Sequence, residues 1–167
     1  MSEPPLRICF VCLGNICRSP TAEAVMRRRV EDAGVDHRVH VESAGTGSWH
    51  VGDPPDGRAS AEGHARGIPL RGAARQFQRE DFERFDVVVA MDRQNVADLR
   101  RLARGGPHEG KIHLLRSFDG AAAEAGHLDV PDPYYGGDAG FARVFDLVDD
   151  ACHGLLEALL NGEPRRR

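Results

Sequence analysis

The stretch Leu6-Arg-Ile-Cys-Phe-Val-Cys12-Leu-Gly-Asn-Ile-Cys-Arg-Ser19-Pro20 decides the fold. Its opening residues, Leu6 to Val11, form a short apolar run rich in strand formers, the pattern of a buried strand. From Pro20 onward, Ala22, Val25, Met26, Val30 and Ala33 recur at helical spacing, and Gly34 supplies a stop. A strand, a tight loop and a helix therefore follow one another directly.

Outward from that unit the order repeats. Val39 to Glu42 is predicted as a second strand, and Asp56 as the cap of a helix running through about His64. Phe85 to Met91 holds three consecutive valines, which favour a pleated surface, and reads as the third strand. Arg93 to Arg104 reads as helix and Lys111 to Leu115 as a fourth strand. Phe141, Val144, Phe145, Val148, Cys152, Leu155 and Leu159 keep a 3.6-residue period, which predicts a long amphipathic helix. Strands alternating with helices imply an α/β fold: a four-stranded parallel sheet, order 2-1-3-4, with helices on both faces, Rossmann-like or flavodoxin-like. One domain is expected over residues 1–167 with its core at about 6–160, and Arg165-Arg166-Arg167 reads as a frayed, solvated tail. Gly45 to Asp56 and Gly120 to Gly140 are the long loops, and loops of such length in a compact domain are usually functional.

Composition narrows the classes. With 167 residues, 41% of them hydrophobic, the chain can bury a core without a disulfide or metal staple. Its 22 basic against 26 acidic side chains, net -4, argue against a nucleic-acid partner. No apolar run approaches the ~20 residues of a membrane span, so no membrane partner is expected. Met1-Ser-Glu-Pro-Pro is acidic and proline-bearing, unlike a signal peptide, and a cytoplasmic protein is expected. A single lysine against 21 arginines points to a high-GC bacterial genome.

Of the 4 cysteines, Cys9, Cys12 and Cys17 cluster while Cys152 stands apart, which is not a secreted disulfide framework. A zinc knuckle on Cys9-x-x-Cys12 would need a second ligand pair, and His37 and His40 offer no matching context. A reactive thiolate in a tight loop remains. Cys9 and Cys152 read as packing residues.

The loop after the first strand lies where α/β sheets place ligands. Proline suits the first helical position, which predicts Ser19 as the helix cap. The loop would then aim several N–H groups and the positive end of the helix dipole at one small volume, which suits a tetrahedral anion. Arg18 offers a planar fork of donors for two phosphate oxygens. Cys12 begins the loop, where the same field stabilises a thiolate and the Ser19 hydroxyl can donate to the sulfur. A thiolate beneath a bound phosphate is a nucleophile aimed at phosphorus. The bare Cys-x5-Arg-[Ser/Thr] pattern arises by chance in about 2% of such chains. A proton donor for the leaving group is also required, and Asp132, in the proline-stiffened Asp129-Val-Pro-Asp-Pro-Tyr-Tyr-Gly136, is the better candidate, with Asp129 the rival.

At these residues the sequence resembles the low-molecular-weight protein tyrosine phosphatases, from about Leu6 to about Leu160. The family's signature loop stands here as Cys12-Leu-Gly-Asn-Ile-Cys-Arg-Ser-Pro20 and its acid motif as Asp132-Pro133-Tyr134. Ser43-Ala-Gly-Thr-Gly-Ser-Trp49 and Ala90-Met-Asp92 also look like family segments. The resemblance implies metal-independent, cofactor-free hydrolysis of protein phosphotyrosine. Cys12 would attack phosphorus, Asp132 would protonate the phenolate, and water would hydrolyse the phosphocysteine. Arg18 and the amides of Leu13, Gly14, Asn15, Ile16 and Cys17 would hold the phosphate, with Ser19 and Ser43 in support and Ser43 bracing Asn15. Trp49, Tyr134 and Tyr135 look like the aromatic walls of the site. Phosphate, sulfate and vanadate would be ligands, and a monomer is expected.

Family members often carry a histidine that supports the loop asparagine where this chain has Gly72. An arsenate reductase would need further cysteines for disulfide exchange. A protein-arginine phosphatase tends to carry threonine where this chain has Ile16, and a non-catalytic phosphate-binding module would not need both Cys12 and Asp132. Cys17, five positions from Cys12, offers two readings: a thiol that traps an oxidised Cys12 as a reversible disulfide, making the protein redox-sensitive, or a small packed side chain.

Overall fold

A computed structural model describes residues 3–134, 136, 137 and 139–163. Tyr135 and the Arg165–Arg167 tail lie outside the described residues. Strand β1 (Leu6–Cys12) pairs in parallel with β2 (Val39–Gly45), from Leu6 opposite Val39 to Cys12 opposite Gly45. On its other side β1 pairs with β3 (Val87–Ala90), which pairs with β4 (Ile112–Leu114), giving the expected order β2-β1-β3-β4. The chain leaves β1 toward β2 and returns on the opposite side as β3. Between β1 and β3, at the carboxyl ends, lies the switch point where such sheets bind ligands.

Alternation along β1 divides the core in two. Ile8, Phe10 and Cys12 face helices α1 (Arg18–Asp32) and α6 (Ala139–Leu160), against Val25, Met26, Phe145, Val148 and Leu155. Cys9 and Val11 face the opposite layer, with Phe82 from α3 (Asp81–Arg84) and Leu99 from α4 (Arg93–Ala103). Each fully buried Leu, Val or Phe contributes about 1.5–3 kcal/mol, so both layers are needed to hold a sheet that is apolar on both faces. The apolar stripe of α6 is buried as its period predicts, Cys152 included. Burial pushes the thiols of Cys9 and Cys152 well above the ordinary cysteine range. Cys9 and Cys12 point to opposite faces of one strand, so they cannot grip a single metal ion.

Several boundaries differ from the sequence reading. β3 is shorter than Phe85–Met91 because Phe85 closes the short helix α3, which the periodicity does not reveal. β4 is shorter than Lys111–Leu115 because 3-10 turns at Pro107–Lys111 and Leu115–Phe118 flank it. The segment from Gly120 to Gly140 is not loop throughout, since Asp119 caps a short helix α5 (Gly120–Ala125). Asp56 caps α2 (Gly57–Ala65) as expected, accepting from the Arg58 N–H. Helix α6 meets the Leu115–Phe118 turn backbone to backbone: a Cβ on Gly154 would lie 1.9 Å from the Phe118 carbonyl oxygen. That contact seats the start of the long segment that returns to the switch point.

Candidate active site

The turn from β1 into α1 is built around Cys12 and Asn15. Asn15 adopts a left-handed conformation, φ +57°, which asparagine tolerates better than most residues, and this reverses the chain over the sulfur. Its backbone N–H donates to Cys12 Sγ at 3.2 Å, and Ser19 Oγ lies 3.0 Å from the same sulfur. Ser19 is not the helix cap. Helix α1 begins at Arg18 after Cys17, no side chain caps it, and Pro20 takes the third helical position, where its missing N–H costs nothing. The Ser19 hydroxyl is occupied within the loop instead.

Proton bookkeeping fixes the direction of that network. Glu23 Oε1 can only accept as a carboxylate, so Ser43 donates to it at 2.6 Å. Ser43 is then free to accept from Asn15 Nδ2 at 3.0 Å, and Asn15 Nδ2 donates to Ser19 Oγ at 2.8 Å. The Ser19 proton is left for Cys12 Sγ, the Ala44 carbonyl at 3.4 Å being the weaker alternative. Asn15 Oδ1 accepts from the Arg75 N–H at 3.1 Å, which satisfies the buried amide. Gly72 supplies no side chain, and Ser43, Glu23 and the Arg75 backbone hold Asn15 in place.

Arg18 is buried and reaches across the switch point. Its Nη1 donates to Asp92 Oδ2 at 2.6 Å and to the Val130 carbonyl at 3.0 Å. Asp92 caps α4 in a reciprocal pair with Asn95, which fixes the carboxylate and through it the guanidinium plane. Burial works against the Arg18 cation, but Cys12, Asp92 and Asp132 outweigh it and raise its pKa. A permanently charged donor fork therefore stands beside the sulfur.

Asp132 arrives from the segment after β4. It is exposed between Pro131 and Pro133, its Oδ1 accepts from the Tyr134 N–H at 3.0 Å, and its Oδ2 lies 3.7 Å from Arg18 Nη2. Asp129 is turned away: its Oδ1 accepts from the Arg93 N–H at 3.0 Å and lies 3.4 Å from Arg93 Nε.

These groups enclose a cavity of about 340 Å³, lined by Cys12, Leu13, Gly14, Ile16, Cys17, Arg18, Trp49, His50, Asp132 and Tyr134. Trp49 is 74% exposed, and its ring packs against Gly47, where a Cβ would meet it at 1.9 Å. Tyr134 also lines the cavity, its ring 6.0 Å from that of His50. Cys17 lies within the buried part of the wall, and its thiol is pushed up to about 12 by burial first, then by Asp56 and Cys12. The described cysteines are all free thiols.

Sequence reading missed Asp92, Glu23 and His50 as members of this site. Asp92 had a usable signal, an aspartate at the carboxyl end of a strand with Asn95 three residues on. Glu23 and His50 had none, because their partners Ser43 and Asp53 are polar pairs of a kind found on any surface.

A parallel sheet carrying a cysteine at its switch point, under an arginine and an aspartate from opposite ends of the chain, defines a small class of α/β proteins. Residues 7–164 match the family described as low molecular weight phosphotyrosine protein phosphatase. The low molecular weight protein-tyrosine-phosphatase of Streptomyces coelicolor is 54% identical over 153 residues, covering 92% of this chain and 93% of that protein. A protein tyrosine phosphatase from Entamoeba histolytica, solved with Hepes in its active site, superposes with a TM-score of 0.88 at 39% identity, covering 95% of this chain and 99% of that one. A Drosophila arginine phosphatase superposes with a TM-score of 0.83 at 32% identity, covering 91% and 96%. The chain belongs to the low-molecular-weight protein tyrosine phosphatase family.

Proposed function

We propose that this protein hydrolyses phosphotyrosine in proteins by double displacement at Cys12, without a metal or other cofactor. The observation that carries the reading is the convergence on one cavity of Cys12 Sγ, the Arg18 guanidinium and the Asp132 carboxyl. The thiolate attacks phosphorus, the bond to the phenolic oxygen breaks, and Asp132 gives that oxygen its proton. Asp132, now a carboxylate, accepts a proton from water, whose oxygen attacks the phosphocysteine and releases phosphate and thiolate. Arg18 and the amides of Leu13, Gly14, Ile16 and Cys17 take the equatorial oxygens while the Asn15 N–H stays on the sulfur, and because the loop is already folded they reorganise little as charge moves. Phosphate, sulfate and vanadate fit the same cradle. Trp49 and Tyr134 flank the cavity as walls for a flat ring, and apolar Ile16 suits an aryl phosphate better than a guanidinium phosphate. A monomer in a bacterial cytoplasm completes the reading, since a reducing compartment preserves the Cys12 thiol. The test is hydrolysis of p-nitrophenyl phosphate in excess chelator: full turnover is expected, and an inert protein, or one that the chelator silences, would refute the reading.

Redox control follows from the same loop. Peroxide converts the Cys12 thiolate to a sulfenic acid, and the Cys17 thiol displaces water from it to form a disulfide. Burial keeps Cys17 protonated at neutral pH, so it does not compete with Cys12 as nucleophile. Peptide mapping after mild peroxide should recover a Cys12–Cys17 disulfide that thiols reverse. Sulfinic Cys12 with free Cys17 would exclude the guard.

A further inference from the structure

Arg58 joins the loop that carries Asp132 to the loop that carries Cys12. Its Nη2 donates to the Tyr134 carbonyl at 2.9 Å and its Nη1 to the Gly136 carbonyl at 3.2 Å. The N–H on the other side of Tyr134 donates to Asp132 Oδ1 at 3.0 Å. One residue thus passes the grip of the guanidinium on to the acid.

The adjoining edge of the guanidinium, Nε and Nη2, meets Asp56. Arg58 Nε lies 3.3 Å from Asp56 Oδ1, and Nη2 lies 3.2 Å from Asp56 Oδ2. Burial alone would raise the Asp56 carboxyl, but its bonds to Arg58 outweigh that and hold it below the usual carboxylate range. The Asp56 N–H donates to the Ile16 carbonyl, inside the nucleophile loop, at 2.8 Å. The Arg58 guanidinium also lies over the Phe141 ring of α6, 4.7 Å from its centre, and 5.7 Å from the centre of the Tyr134 ring. A fixed, planar, multi-donor fork is what this geometry uses, and lysine lacks it.

We infer that Arg58 is a positioning residue for the general acid, tying the Asp132 loop through Asp56 to the nucleophile loop so that the carboxyl is held at the leaving-group side of the cavity. The inference rests on the role given to Asp132 above. Loss of Arg58 removes its bonds to the Tyr134 and Gly136 carbonyls while the backbone bond between Asp56 and Ile16 persists, so proton donation suffers and phosphate binding does not.

The experiment compares kcat/KM for phenyl phosphate, whose leaving group is strongly basic, with that for p-nitrophenyl phosphate, whose leaving group is weakly basic. It uses wild type, Arg58→Ala, Arg58→Lys, Asp132→Ala and the double variant Arg58→Ala/Asp132→Ala. Arg58→Ala should lose roughly 10-fold more on phenyl phosphate than on p-nitrophenyl phosphate. Inhibition by inorganic phosphate should stay within about twofold of wild type. Arg58→Lys should show the same selective loss in smaller degree, and it decides the matter if Arg58→Ala fails to fold. In the double variant, removing Arg58 should add no further leaving-group selectivity to that of Asp132→Ala. Equal losses on both esters, or extra selectivity in the double variant, would overturn the role of Arg58. If Asp132→Ala itself shows no selectivity, the acid assignment fails instead, and the two failures are told apart.

Discussion

Cys12→Ser removes hydrolysis of aryl phosphates, with an expected loss in kcat on the order of 10⁴-fold or more, while inorganic phosphate still binds. The reason lies in the loop. Two donors reach Cys12 Sγ, the Asn15 N–H at 3.2 Å and Ser19 Oγ at 3.0 Å, and both stabilise an anion that sulfur forms readily and a serine hydroxyl does not. The nucleophile in this reaction is the anion, so its loss is felt at the first step. Arg18 and Asp92 do not depend on the sulfur for their positions, because Asp92 and the Val130 carbonyl hold the guanidinium. The variant should therefore bind phosphoprotein without turning it over, and it doubles as a substrate trap in lysate. Steady-state assay with p-nitrophenyl phosphate beside phosphate-binding calorimetry checks both halves. Retention of more than about 1% of turnover would remove Cys12 from the nucleophile's role.

The second large effect belongs to the acid. Asp132→Ala should slow the first step by about 10²–10³-fold for phenyl phosphate or phosphotyrosine and far less for p-nitrophenyl phosphate. A weakly basic phenolate departs without a proton, whereas a strongly basic one needs it in the transition state. Asp129→Ala serves as the control, because that carboxylate is committed to the Arg93 backbone and does not line the cavity. Its loss should be small and equal for both esters. Single-turnover rates across a series of phenols read the slope directly, and an Asp132→Ala slope matching wild type would transfer the role elsewhere.

How far such expectations were open to a reader of the sequence differs from residue to residue. The Val87–Ala90 strand is buried on both faces and announces itself by its valines, and the stripe of α6 by its period. The α3 and α5 helices have no such signal, being only 4 and 6 residues long. Ser19 is no helix cap although Pro20 follows it. A serine before a proline is a sound cap signal, but Cys12, Asn15 and Ser43 compete for hydrogen bonds at the same point, and a hydroxyl buried among them goes to the sulfur and the amide. Gly72 looked like a missing support for Asn15, yet Glu23 and Ser43, which lie on different elements, meet behind it.

Neighbours within a few residues and hydrophobic period suffice to read the strand-loop-helix unit, the alternation of strands with helices and the spacing of Cys12 and Arg18. The division of labour among the carboxylates comes from long-range packing. Asp92 holds Arg18 from behind, Asp132 faces the cavity, Asp129 turns to Arg93, and Asp56 holds Arg58 against the acid loop. Four aspartates are chemically alike in a sequence. Which of them faces the cavity depends on the donors that the strand order β2-β1-β3-β4 brings beside each one.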